Sequence, residues 1–495
     1  MRNRTQAIWA KPLVMVKSIG LAGLLCLSAQ AFGAEATTGE RPEGKPGDVR
    51  LPRLPSGPAG PGRFGAYYTR LRYTDAWERP WRVGDAADVL VRFDDGGHRF
   101  IFWRGTSYIP CWVTENGIWY TNEFCETSGG GTEGCAEPIS DKQTRYAHVR
   151  ILESHDARVV VHWRYALTDV HYRLAHTDPQ TGWHDWVDEY YTIYPDAVAV
   201  RKIVLWTSRM DVWHEFQEAI VLNPPGTAPE DNLETAALSI ANLDGKAADY
   251  VWDTPGKPRL TASVPNACIE VVNLKAPRRP FLIIDPAEAC ITTFNGHAPK
   301  SRFNWWDHWP VSQDKTWTRV ATSNHRPSHT SLSWIARPRE PVPKDWKAYA
   351  RTEQSVTKLL LCGLTRQTAK ELTADARSWL MAPPMRITSS GFTGGSYDRA
   401  DRAYHVERKE AAPPAALEFT LQAGKDRPVV NPAVVVRGWG DADARIEIGN
   451  APTPEPGSRR CRIAHARRLD RTDLVVWVKL RSQTPVSVRL RPAGS

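Results

Sequence analysis

The stretch from residue 145 to 201 concentrates side chains that move protons or hold anions. It contains Arg145-Tyr-Ala-His148, His155, Val161-His-Trp-Arg-Tyr165, His171-Tyr172, Trp183-His-Asp-Trp186, Asp188-Glu-Tyr-Tyr191 and Arg201. Alternation along an extended backbone decides which of these share a face. His148 goes with Arg150 and Leu152, and His162 with Val160 and Arg164. Successive antiparallel strands would bring His148 and His162 near each other. A lone strand histidine is usually structural, but several histidines, tyrosines and arginines in adjacent strands point to a site. A second region, 295–331, contains His297, Phe303-Asn-Trp-Trp-Asp-His-Trp-Pro-Val311 and His325-Arg-Pro-Ser-His-Thr330. It has no hydrophobic period and reads as loops, which carry sites. His308, Arg326 and His329 are its candidates.

Histidine, tyrosine and arginine together suit β-elimination from a uronic acid. The C5 proton becomes acidic when the neighbouring carboxylate is neutralised, which is work for Arg or protonated His. A base takes that proton and an acid protonates the leaving oxygen at C4; His and Tyr serve for both. The chain also has 21 tryptophans, many in polar surroundings. Their faces suit sugar rings, although an aromatic core with polar tips accounts for them equally well. Trp183, Glu123, His308, Arg326 and His329 are the residues expected to touch substrate. GxGxxG spacing occurs at Gly60–Gly65 and Gly129–Gly134, but neither lies in a βαβ unit, and no P-loop or GxSxG pattern occurs, so no nucleotide cofactor is expected. A glycoside hydrolase is the competing enzyme. It needs two carboxyl groups about 5 to 9.5 Å apart, and Asp185, Asp188 and Glu189 cluster in sequence with Glu123 not far off. A lectin-like β protein would explain the tryptophans but not the density of titratable groups. Cys268, Cys290 and His297 (with His308 following) are chemically suited to a structural metal, zinc or calcium, although no tight CxxC pair is present.

The elements that must position these groups read as strands. Ala87–Phe93, Arg99–Trp103, Ala147–Glu153, Ala157–Tyr165, Glu189–Tyr194, Ala197–Trp206 and Pro280–Ile284 are short and rich in β-branched and aromatic residues. Gly, Pro, Asp or Asn bound them. No helical period intervenes, which excludes βαβ units. An all-β fold follows, as a propeller, a large sandwich or a solenoid. One helix is expected over 368–380. Thr368-Ala-Lys-Glu371 is a capping box, Ala369, Leu372, Ala376 and Trp379 recur at helical spacing, and Pro383-Pro384 ends the pattern. Residues 385–495 return to strands and read as a small accessory β domain.

Residues 1–33 carry basic side chains, a short apolar run from Ile19 to Leu27, then small residues. That order describes a cleavable signal peptide and a secreted or periplasmic protein. The run is too short for a span, which takes roughly 20 residues, and no other segment qualifies. Residues 34–63 read as a disordered linker, 64–384 as the catalytic domain. The formal net charge of +9 falls when the four basic residues of the signal are lost. The remaining mild excess fits an anionic polysaccharide, and the absence of a basic stripe argues against nucleic acid. A monomer is expected.

The phrases Arg145–Glu153, Ala157–Tyr165, Asp188–Asp196 with Arg201, and Phe303–Pro310 resemble secreted bacterial polysaccharide lyases of the ulvan lyase type. The resemblance covers about 65 to 345. It implies a seven-bladed β-propeller, a site at one end of its axis and a structural metal away from the chemistry. It further implies His148 as base, Tyr190 as acid, Arg201 as carboxylate neutraliser, and either His162 or His171 as the second histidine. His308 and Arg326 would line the groove.

Overall fold

Alternating apolar residues condense into strands because each strand buries one row of side chains and leaves the other to solvent or to a second layer. The computed structural model describes residues 53–73, 86–294, 302–303, 328–336, 348–409, 416–449 and 458–493. The expected signal peptide, most of the linker, and His297, His308 and Arg326 lie outside the described residues. Among the described residues no helix is long and apolar enough to cross a membrane.

The chain is mostly β. Its strands form two large sheets rather than a ring of four-stranded blades among the described residues. An eight-stranded sheet begins at Gly65–Thr69, passes through Asp88–Arg92, Arg99–Phe102, Pro110–Val113, Trp119–Thr121 and Ala219–Asn223, and ends at Ser328–Ala336 and Ala289–Thr293. An eleven-stranded sheet carries the residues of interest. Its last strands are β1 (His148–His155), β2 (Arg158–Ala166), β3 (Trp186–Tyr194), β4 (Val198–Trp206) and β5 (Ser355–Thr365). β1 to β4 follow one another as antiparallel neighbours, and β4 then pairs with β5. Between the sheets lies one core, with Trp103, Trp112, Trp119 and Trp163 each almost wholly buried.

Two expectations change. Residues 53–63 do not behave as a free linker: Leu54 is buried, and Arg99 donates to the Pro58 carbonyl at 2.6 Å. Ser328–Ala336 is a strand, so His329 is not on a loop. The helix is present as α1 (Thr373–Leu380), shorter than its pattern. The Thr368–Glu371 box does form, but it closes the turn that precedes the helix.

Residues 385–492 build three further sheets, of four, five and two strands, around a separate apolar core that includes Phe419, Val434, Val476 and Leu490. They meet the larger part through Ala157, Tyr194, Ala433 and Trp477. A buried ion pair crosses the same seam. Arg402 donates to both oxygens of Asp196 at 3.1 and 2.8 Å, and Asn431 bonds Asp196 as well. Breaking a buried pair by removing one partner costs about 3–5 kcal/mol, because the other charge is stranded. Asp196→Ala should therefore lower stability by about that amount, read as a shift in the urea midpoint.

Candidate active site

Register in β1 to β4 lays three rows of side chains on one face. The hairpin from β3 to β4 pairs Tyr194 with Val198, so Tyr190 falls opposite Lys202. Across β3 and β2, Tyr190 faces His162, and across β2 and β1, His162 faces Arg150. Arg150, His162, Tyr190 and Lys202 thus form one continuous row. Directly opposed residues have Cβ atoms about 4.5–5.5 Å apart, so these four side chains touch. The next row is His148, Arg164 and Asp188. The row beyond pairs Trp186 with Trp206.

His162 is the centre of the contacts. Its ring stacks on Tyr190, with centroids 4.6 Å apart and planes 15° off parallel. Arg150 Nε donates to His162 Nδ1 at 3.1 Å. Nδ1 therefore carries a lone pair, and the ring proton sits on Nε2, which donates to Asp188 Oδ1 at 2.7 Å. Arg164 and Trp206 Nε1 hold the Asp188 carboxylate in turn. Burial opposes ionisation of Asp188. The hydrogen bond from His162 and the charge of Arg164 outweigh it and keep the carboxyl below its ordinary value. Asp188 is therefore an anion that fixes both tautomer and orientation of the buried imidazole, whose Nδ1 lone pair faces Arg150.

Tyr190 is only partly buried. Burial, then the charge of Asp188, push its phenol above the ordinary value, so it keeps its proton at neutral pH. Lys202 Nζ lies 5.7 Å from the centroid of the same ring. Arg150 is exposed and has no carboxylate partner among the described residues. Aromatic groups continue the surface. Trp186 lies under Arg164 at 4.7 Å, beside His184 and Tyr146, and Tyr146 adjoins Tyr172.

The remaining expected residues fall elsewhere. His148 is exposed on the same face, but opposite Arg164 and only diagonal to His162. His171 sits on a loop with its Nε2 3.6 Å from Glu133. Arg201 cannot neutralise a substrate carboxylate. It is fully buried between the sheets, bidentate to Glu189 at 2.8 and 2.7 Å and bonded to the Asn122 carbonyl. Tyr165 and Tyr191 donate to the same carboxylate. Its neighbours in sequence point the opposite way, as alternation requires. His329 is buried in the other sheet, opposite Leu222. Glu123 is buried beside Glu218, and burial first and that charge second raise its carboxyl well above the ordinary value. Trp183 is the most exposed tryptophan of the described residues, at the tip of the loop before β3. The expected carboxylate group also disperses: Asp185 and Glu189 are wholly buried in separate networks. Arg150, Arg164, Asp188 and Lys202 are the groups that sequence reasoning did not assign to this chemistry. Period-two counting from the Pro195-Asp196 turn reaches Lys202.

Cys268 is buried and Cys290 half-buried, and neither belongs to a set of three converging ligands among the described residues. Three other sets do converge: His176, Asp185 and His214; Asp398, Asp401 and His405; Glu123, Glu215 and Glu218.

No family model matches this chain, and no curated protein matches it. Among solved structures, it is similar to a galactose 1-epimerase from Lactobacillus acidophilus NCFM at a TM-score of 0.27 and 8% identity, over 61% of this chain and 99% of that one. It is also similar to an alpha-mannosidase from Enterococcus faecalis V583 at a TM-score of 0.28 and 8% identity, over 79% of this chain and 41% of that one. At these TM-scores the likeness carries no functional argument.

The contrast between Arg201 and Arg150 is testable. Arg201→Met strands the buried Glu189 charge and should destabilise the fold by about 3–5 kcal/mol. Arg150→Met, on the surface, should stay within about 0.5 kcal/mol of the parent. Chemical denaturation followed by circular dichroism measures both.

Proposed function

We propose that this protein is an exported polysaccharide lyase that cleaves uronic-acid-containing chains by β-elimination on the open face of β1 to β4. The observation that carries the reading is the single row Arg150, His162, Tyr190, Lys202, with Asp188 behind the imidazole. It supplies a cation for the carboxylate, a base, an acid and a second cation, in contact. The resemblance of residues 145–201 to ulvan lyase-type enzymes supports the same chemistry, and the pattern of residues 1–33 supports export.

In this reading the uronate carboxylate pairs with Arg150 and draws the guanidinium off His162 Nδ1. The C5 proton is one carbon from that carboxylate, so it comes to lie at the freed lone pair. His162 takes the proton, and Asp188 stabilises the imidazolium that results. Electrons move into the C4–C5 bond as the C4–O bond breaks. Tyr190 gives its proton to the leaving oxygen, helped by Lys202 beside the phenol. The aromatic row from Trp186 to Tyr172 offers stacking faces for flanking sugars. A hydrolase finds less support here, since Asp188 is the one carboxylate of its sequence cluster on this face.

His162 and Tyr190 rise from the same sheet face, so they reach the same face of a sugar. Elimination is then syn, which suits glucuronate and mannuronate, where C5–H and C4–O lie on one side. Iduronate, galacturonate and guluronate place them on opposite sides. Incubation with a panel of such polymers, ulvan included, should raise the ultraviolet absorbance of the new double bond on glucuronate- or mannuronate-linked chains. His162→Ala and Tyr190→Phe should each lower kcat by about 10²–10⁴-fold. New reducing ends without that absorbance would replace the lyase reading with hydrolysis.

A further inference from the structure

We propose that His176, Asp185 and His214 hold a divalent transition-metal ion of the zinc class, separate from the elimination chemistry. The three side chains are buried, and their ligand atoms lie within 4.8 Å of one another. His176 Nδ1 is 2.6 Å and His214 Nε2 2.8 Å from the same oxygen, Asp185 Oδ2. The two rings meet edge to face with centroids 5.6 Å apart.

The hydrogen bonds of these groups leave one place for a cation. His214 Nδ1 lies 3.3 Å from the Val212 carbonyl, which can only accept, so Nδ1 carries the ring proton. A neutral His214 then turns its Nε2 lone pair toward Asp185 Oδ2, which is itself an acceptor. Two acceptors at 2.8 Å need either a proton on Nε2 or a metal ion that both ligate. A metal ion meets that need, and the Val212 contact is the backbone hydrogen bond that metal-bound histidines make through their second nitrogen. Asp185 Oδ1 is also buried and accepts no hydrogen bond at bonding distance. Two imidazoles and a carboxylate are a donor set that suits zinc over calcium or magnesium, which take oxygen.

The surroundings are shaped to hold His176. A Cβ built on Gly130 would lie 2.2 Å from His176 Cδ2, and Gly130 has a φ of +62°. His176 N also donates to the Gly130 carbonyl at 3.3 Å. Gly130 is therefore part of the wall around His176. Asp185 opens the approach to β3, and His214 belongs to the short strand His214–Glu215. An ion here would tie that strand to the loop bearing Tyr172, Trp183 and His184.

The test uses the purified full-length protein, stripped with a chelator and checked for retained circular dichroism. Titration with Zn²⁺ should show uptake of a single equivalent by elemental analysis and a rise in the thermal midpoint with metal concentration. Co²⁺ should give visible d–d bands that Zn²⁺ abolishes. Asp185→Asn and His214→Ala should lose the bands, while His162→Ala should keep them, which separates this site from the proposed active site. A folded, stripped protein that takes up neither ion overturns the proposal and leaves His214 as an imidazolium paired with Asp185. Undiminished Co²⁺ bands in folded His214→Ala overturn it as well. Neither result bears on whether the protein eliminates uronates.

Discussion

Glu189 and Arg201 are locked to each other in the space between the two large sheets, with Tyr165, Tyr191 and the Asn122 carbonyl completing their hydrogen bonds. A charge placed that deep is tolerated only when its partner is present and oriented. The pair therefore fixes which face of β3 and β4 looks inward. Once Glu189 and Tyr191 are inside, Asp188 and Tyr190 must be outside, and Lys202 follows on the neighbouring strand. The open face inherits its arrangement from a contact that it never touches.

That dependence explains how one sheet supports two opposite electrostatic habits. Inside, Glu189 and Arg201 are matched within hydrogen-bond distance and excluded from water. Outside, Arg150 and Lys202 have no carboxylate partner among the described residues, and Asp188 is committed to His162, Arg164 and Trp206. In the function proposed above, these unmatched cations beside aromatic faces would receive an anionic sugar chain. Their positive potential would also draw such a polymer to the face before any specific contact forms.

The smaller β unit at the carboxyl end contributes to this rigidity from the far end of the strands. Glu153 at the end of β1 pairs with Arg158 and Arg468, and Asp196 in the β3–β4 turn pairs with Arg402. Both turns that set the register of β1 to β4 are thus pinned by arginines. Two of these come from beyond residue 400.

Much of this was legible in the residues themselves. Alternation and turn chemistry marked the strands around 88–92, 99–102, 148–155, 158–166, 198–206 and 279–283 within a residue or two, and the capping box and Pro383-Pro384 bracketed the helix. The histidine, tyrosine and arginine density of 145–201 marked the stretch whose strands carry the row Arg150, His162, Tyr190 and Lys202. These are local properties, carried by neighbours in the chain. Which arginine faces outward was not local. Counting back from the His155–Arg158 turn without the irregularity between Ile151 and Glu153 pairs His162 with Ile151, and only the bulge restores Arg150 to the row. The pairing of β4 with a strand some 150 residues away, the gathering of strands into two broad sheets, and the convergence of His176, Asp185 and His214 are long-range choices. They were decided by packing of the whole chain, because a strand's pattern says which side it buries but not which strand lies beside it.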